Sequence, residues 1–260
     1  MIKLYGIVSP NVLKVAIMLE EVGAEYSLHY VPIFNGGQFD PTFAEISPNH
    51  KVPVIVDEAV QGEGGANGEG DKGLAIFESG AILIYLADKM AWGLSKDVAA
   101  RATELQWLML QMSSIGPMIG QYVHFQRYAP AGSEYGLERY ESQVRDLFAV
   151  LERRLEKAKY LGGAAYSIAD ISVLPCVRGA TLFFPWFLPD GEAALARSHP
   201  ALARWYRELI ARPAFNRAVA ALDTFSQQDQ AALAASTEDD WDKFFKRGKF
   251  GITGNTSAVR

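Results

Sequence analysis

The sequence predicts an α/β domain followed by an all-α domain. Two observations carry this. Over residues 1–88 short apolar runs of strand length alternate with segments of helical period. From Lys89 onward the strand signals vanish and long amphipathic periodicities remain. The α/β domain is therefore placed at 1–88 and the helical domain at 98–260, joined near 89–97. A chain of 260 residues suits two modest domains, and 49% hydrophobic residues supply a sizeable core.

Each element has its own signal. "IKLYGIV" is a short buried strand. In "VSPNVLK" Ser9 can cap a helix and Pro10 suits its first turn. "NVLKVAIMLEEVG" then sets Val12, Val15, Ala16, Leu19 and Val22 at helical spacing, and Gly23 ends it. "EYSLHYVPI" alternates as a strand, and a loosely helical stretch follows. "VPVIVD" and "LAIFE" are compact strands, and "SGAILIYLADKM" is a helix capped by Ser79. The proline opening "VPVIVD" fits an edge or a cis bond. The order is β-α-β, then β-β-α. "QGEGGANGEGDKG", residues 61–73, is glycine-rich and acidic, which reads as a surface loop.

The second half is helical throughout. "DVAARATELQWLMLQMSSIGPMIGQYVHFQRY" and "YGLERYESQVRDLFAVLERRLEKAKYL" are long amphipathic helices. "YSIADISVLPCVRGA" opens on a capping box, Ser167 and Asp170, with Tyr166 and Ile171 spaced as a hydrophobic staple. "HPALARWYRELIARP" and "AFNRAVAALDTF" add two more helices. The closing "WDKFFKRGKFGITGNTSAVR" reads as an aromatic anchor followed by a loose tail.

Composition excludes several functions. A net charge of −5 argues against a nucleic-acid binder, which needs a basic stripe. The one cysteine, Cys176, cannot form an intramolecular disulfide and fits a reducing compartment. The N-terminus has no basic region and no apolar h-region, and no run approaches the roughly 20 apolar residues of a membrane span. The expectation is a cytoplasmic protein that engages neither membrane nor nucleic acid. The histidines at 29, 50, 124 and 199 lack metal-ligand spacing, so no metal is expected.

The chemistry centres on Ser9-Pro10-Asn11-Val12. A β-α-β opening with a polar cap at the first helix resembles the thioredoxin-like fold. Redox members carry Cys-x-x-Cys there, because a helix N-terminus stabilises a thiolate. Here the two slots hold Ser9 and Val12, so the sulfur would have to come from a ligand.

Over about residues 1–225 the chain resembles the cytosolic glutathione transferases: a thioredoxin-like domain followed by a helical one. "NHKVPVIVD", "ESGAILIYLADK" and "YSIADISVLP" carry the resemblance. "PNVLKVAIMLEE", "GGQFDPTFAEISPNHKVP", "LQWLMLQMSSIGPMIGQYVHF" and "LERY" are similar to the Nu class of bacterial glutathione transferases. That class usually carries threonine where this chain has Ser9; the hydroxyl is kept. The loop at 61–73 and the tail after about 226 exceed the compact members.

The resemblance implies a homodimer that binds glutathione, two molecules per subunit, and reduces disulfides with it. It implies that Ser9 and Asn11 hold the sulfur, with Arg139 of "ERY" adding positive charge near the thiols. Val52, before a cis Pro53, would pair with the cysteinyl part of glutathione. Ser79 suits the γ-glutamyl carboxylate and Glu78 its ammonium, while Gln38 and Lys51 reach the glycyl end. Bound glutathione would attack a disulfide or an electrophilic carbon.

Blander readings stand beside these. Pattern alone favours helix capping for Ser9, Asn11 and Glu78-Ser79, and a solvated helix face for Arg139. Tyr122, His124, Phe125 and Tyr128 are a pocket or simply core. Cys176 reads as a small buried hydrophobe outside the chemistry. Two other functions remain open: glutathione-dependent ether or thioether cleavage on aromatic substrates, and a non-catalytic binding or regulatory role.

Overall fold

The structure, a computed structural model, describes residues 1–61 and 73–250. The expected 61–73 loop lies, for residues 62–72, outside the described residues, as does the expected loose tail beyond 250. The chain divides into two compact units. The first holds Met1–Leu19, Gly23–Ile82 and the chain from Ala218 on; the second holds Glu20–Val22 and Leu83–Arg217.

The first unit is built on a four-stranded sheet in the order β2-β1-β3-β4. The strands are β1 (Ile2–Gly6), β2 (Tyr26–Tyr30), β3 (Val54–Gln61) and β4 (Gly73–Phe77). β1 runs parallel to β2, with Leu4 opposite Leu28, and antiparallel to β3, with Leu4 opposite Ile55. β3 and β4 are antiparallel, Val54 facing Phe77. Parallel β1 and β2 need a crossover, and α1 (Pro10–Val22) supplies it. α1 begins on Ser9, whose Oγ accepts the Val12 amide at 3.3 Å, and ends on Gly23 in the left-handed region at φ 64°. It crosses β1 closely: a Cβ on Gly6 would lie 2.6 Å from both Val12 methyls, so only glycine fits there. α2 (Pro41–Ile46) is capped by Asp40, which accepts the Thr42 amide at 2.8 Å. Val31, Phe43 and Val54 form a buried cluster with Tyr5, Ile33, Ile46 and Val52 packed on it.

α3 (Ser79–Met90) starts one residue earlier than a Ser79 cap requires. Ser79 is the first helical residue, and the carbonyl of Glu78 accepts the Ile82 amide at 3.0 Å. Glu78 therefore occupies the expected place of Ser79, at a φ of 69° that costs a non-glycine residue about 1 kcal/mol or more.

The second unit is helical. The expected helix over 97–128 is interrupted: α4 (Val98–Leu110) and α5 (Gly116–Arg127) flank a π turn at Gln111–Ile115. Pro117 has no N–H to close onto Ser113, and its ring crowds that carbonyl, so the helix widens just ahead of it. α6 (Glu134–Lys157) and α7 (Ile168–Phe183) follow, then α8 (Glu192–Ser198), α9 (Pro200–Ile210) and α10 (Pro213–Asp223), of which the part from Ala218 on counts with the first unit. The Ser167–Asp170 capping box is formed. Asp170 is fully buried and accepts from Leu161 N and Trp205 Nε1 at 2.8 Å, Ser167 N at 3.1 Å and Ser167 Oγ at 3.2 Å.

Every regular element described after residue 98 is a helix, in line with the expected all-α stretch. By packing, α11 (Ser226–Ala235) and α12 (Glu238–Phe245) belong with the sheet of the first unit. The aromatic anchor is docked there: Phe34 lies 6.1 Å from the Trp241 ring and 6.0 Å from that of Phe244. No helix of the described residues is long and apolar enough to cross a membrane.

Candidate active site

The residues singled out in the first half lie in three segments of the first unit: the β1–α1 turn, the 33–53 stretch and the β4–α3 turn. Ser9 caps α1. Its oxygen accepts from Val12, so its own proton is still available to donate. Asn11, in the first turn, is exposed, and its carboxamide oxygen accepts from Lys14 Nζ at 2.8 Å. With the oxygen turned inward, the amide nitrogen is the end that can donate to a ligand.

Lys14 is the residue that sequence reasoning missed. It is only 1% exposed. From the second turn of α1 its ammonium bonds Asn11 and reaches Ser79 Oγ at 3.5 Å. A buried ammonium thus ties the turn that should hold sulfur to the turn that should hold a carboxylate. The available signal was its place inside the apolar run Val12–Leu19, where a lysine is out of pattern.

The network continues beyond Ser79. Glu78 Oε1 accepts from Asn49 Nδ2 at 2.9 Å, which helps hold the strained Glu78 backbone. Ser47, fully buried, donates to the Lys51 carbonyl at 2.8 Å and accepts its amide at 3.1 Å. That clasp leads into Val52–Pro53, which is cis. Pro53 is buried, Val52 half-buried and Lys51 exposed. His50 Nδ1 lies 3.0 Å from the Gln38 carbonyl oxygen, and its ring packs on Phe39 at 5.2 Å. Ser9, Asn11, Gln38, Lys51, Val52, Pro53, Glu78 and Ser79 thus belong to one unit, and several are hydrogen-bonded in series.

Gln38 tests what such a site could hold. It is 4% exposed, and its side-chain oxygen has no hydrogen-bond partner. A buried acceptor left unpaired costs free energy that a ligand's N–H would recover. An amide-bearing ligand fits this position. Ser9 and Asn11 supply donors for an anion at a helix N-terminus, and Glu78 supplies an anion for an ammonium. Glutathione carries all of these groups.

The remaining candidates lie in the second unit. Arg139 stands exposed on α6. Tyr122 is 1% exposed and sits edge-on to Phe184, and Phe125 stacks on Tyr140 at 5.4 Å, so both serve as packing. His124 is half-buried and Tyr128 exposed. Cys176 is buried on α7 and accepts from Gln111 Nε2 at 3.4 Å. Among the described residues no cluster of His, Cys, Asp and Glu could hold a metal ion.

The glutathione S-transferase N-terminal-domain model matches residues 8–89, and the C-terminal-domain model of the same family matches residues 134–208. The chain belongs to the glutathione S-transferase family. Within it, the chain is 41% identical over 219 residues to the disulfide-bond oxidoreductase YfcG of Escherichia coli, covering 84% of this chain and 94% of that protein. To the E. coli disulfide-bond oxidoreductase YghU it is 33% identical, covering 83% of this chain and 73% of that one. A glutathione transferase family member from Pseudomonas fluorescens, solved with two glutathione bound, superposes with a TM-score of 0.72 at 40% identity. That match covers 84% of this chain and 92% of the other. The thioredoxin-like and helical parts expected from the sequence are those of this family.

Proposed function

We propose that the chain is a glutathione-dependent disulfide reductase of the Nu class, active as a cytoplasmic homodimer. The observation that carries the reading is the bridge from Asn11 through buried Lys14 to Ser79. Membership in a family with two disulfide-bond oxidoreductases among its similar members supports it.

Glutathione, when bound, supplies the thiol that this helix start lacks. The chain's residues do the rest. The Ser9 hydroxyl and Asn11 amide donate to the sulfur, and the α1 N-terminus and the Lys14 ammonium favour its ionised form. Ser79 and Glu78 hold the γ-glutamyl end, the Val52 backbone pairs with the cysteinyl part, and Gln38 and Lys51 take the glycyl end. Arg139 is the proposed source of further positive charge near the thiols. Two glutathione molecules per subunit suit the balance of the reaction. Two thiols are oxidised to glutathione disulfide while the substrate disulfide takes up two electrons and two protons as two thiols. The protein orients and acidifies; it supplies no nucleophile of its own.

The test is turnover of a small dialkyl disulfide with glutathione, followed by coupling glutathione disulfide to its NADPH-dependent reductase. Saturable turnover is expected. A protein that binds glutathione yet gives only the uncatalysed rate would overturn the reading. Activity confined to aromatic thioethers would move it to ether or thioether cleavage. No binding at millimolar glutathione would leave a non-catalytic module.

A further inference from the structure

Residues 225–245 are part of the first unit and touch its other segments at places that flank the proposed glutathione contacts. Asp229 of α11 is 8% exposed, and its Oδ2 accepts the Val8 amide at 3.0 Å. Val8 is the residue before Ser9. Tyr30, at the end of β2, lies beside the same carboxylate, and its ring tilts against Phe225 at 5.3 Å. Burial pushes the Asp229 carboxyl up, while the Val8 amide and the Tyr30 hydroxyl pull it back down.

A second set of contacts grips the loop that carries Gln38. Asn35 Nδ2 donates to the Ala232 carbonyl at 3.2 Å, and Ser236 Oγ donates to the Phe34 carbonyl at 3.0 Å. The Phe34 ring packs against Trp241 and Phe244, and Lys243 Nζ stands 4.5 Å from the centre of the Phe39 ring. Phe39 is the neighbour of Gln38.

We propose that residues 226–245 form a strap that holds the Val8–Asn11 turn and the 33–39 loop in their ligand-binding arrangement, with Asp229 as a positioning residue for Ser9. The physical argument is preorganisation. Short loops with few buried apolar groups of their own sample many conformations, and ligand affinity falls with the fraction that is binding-competent. Asp229 fixes one backbone N–H at the entry to α1. The aromatic cluster fixes the other loop by packing that it cannot supply itself. A carboxylate that has been buried to reach a main-chain amide is a costly way to cap a loose tail, but it is an economical way to define a turn. The inference rests on the glutathione reading only for the identity of the ligand.

The test uses the full-length chain. The variants are Asp229→Ala, Asp229→Asn, and Trp241→Ala combined with Phe244→Ala. Amide hydrogen exchange of the unliganded protein is measured alongside glutathione titration calorimetry. Asp229→Ala is expected to speed exchange over residues 8–13 and weaken glutathione binding about tenfold, as a competent fraction near one tenth requires. The aromatic double variant should do the same over residues 33–40. Turnover at saturating glutathione should stay within about twofold in each, because the strap acts on the population of the site. Asp229→Asn keeps an acceptor oxygen and should restore most of the affinity. If Asp229→Ala does not fold, the other two variants carry the comparison. Unchanged exchange over both segments would overturn the strap. Wild-type protein that fails to bind glutathione while the variants still speed exchange would overturn the ligand assignment and leave the strap standing.

Discussion

Replacing Lys14 by methionine removes one ammonium and keeps an unbranched stem of similar length. Two bonds go with it, to Asn11 Oδ1 at 2.8 Å and Ser79 Oγ at 3.5 Å. The main expected effect is on the acidity of bound glutathione. A sulfur held by the Asn11 amide would lie one carboxamide away from Nζ, roughly 7 Å by hydrogen-bond lengths. At an effective dielectric of about 20–40 the attraction there is about 1–2.5 kcal/mol, or about 1–2 pKa units. The bound thiol should therefore titrate about 1–2 units higher in Lys14→Met, followed by thiolate absorbance in the ultraviolet against pH. Affinity should fall as well, since Asn11 and Ser79 lose their common anchor. The thermal midpoint should hold or rise, because taking an ammonium out of water is costly and an apolar side chain avoids that cost. A merely structural lysine would show the reverse: a lower midpoint and an unmoved titration. A folded Lys14→Met protein whose bound thiol titrates like wild type would refute the reasoning.

Three further outcomes are expected. Asn11→Ala should lower kcat/KM for a disulfide more than Ser9→Ala does, because losing a donor to a charged group costs about 1.5–3 kcal/mol and each donor partly covers for the other. Ser9→Ala should also cost about 1 kcal/mol in a urea melt, since the same oxygen caps Val12; unchanged kcat/KM in the double variant would remove this turn from the chemistry. Asp170, pushed up to about 6 by burial, binds a proton more readily folded than unfolded. Its contribution to stability should fall by about 2–3 kcal/mol as pH rises from about 4 to 6, then level off. Urea melts at pH 4.5 and 7 should show that fall in wild type relative to Asp170→Asn, and parallel profiles would contradict it. Cys176→Ala should leave turnover and its dependence on glutathione within about twofold, apart from about 1 kcal/mol of packing; a folded variant that binds glutathione but does not turn over would mean the chain supplies a redox thiol.

What could be read from the sequence was local. Ser9, Pro10 and Gly23 bracket α1 because caps and breakers act within a few residues of themselves. The Ser167–Asp170 box is legible for the same reason, its bonds spanning three positions. The strands announced themselves as short β-rich runs, and the resemblance of local motifs named the candidate contacts. The structure decided whatever depends on partners far along the chain. Asp229 meets Val8 across 221 positions, and the Trp241 anchor finds Phe34 across two hundred, pairings that no periodicity encodes. The sheet order β2-β1-β3-β4 pairs strands that are far apart along the chain, which strand signals do not specify. Glu78 displaced Ser79 from the cap because the β4–α3 turn places a residue in the left-handed region, where Asn49 meets its side chain. Lys14 shows the division most clearly. Its position was visible as a charge in an apolar run, but a lysine on a helix ordinarily reaches water by its long stem. Only the packing of α1 against the sheet and beside Ser79 closes that route, and so turns a surface charge into a buried one.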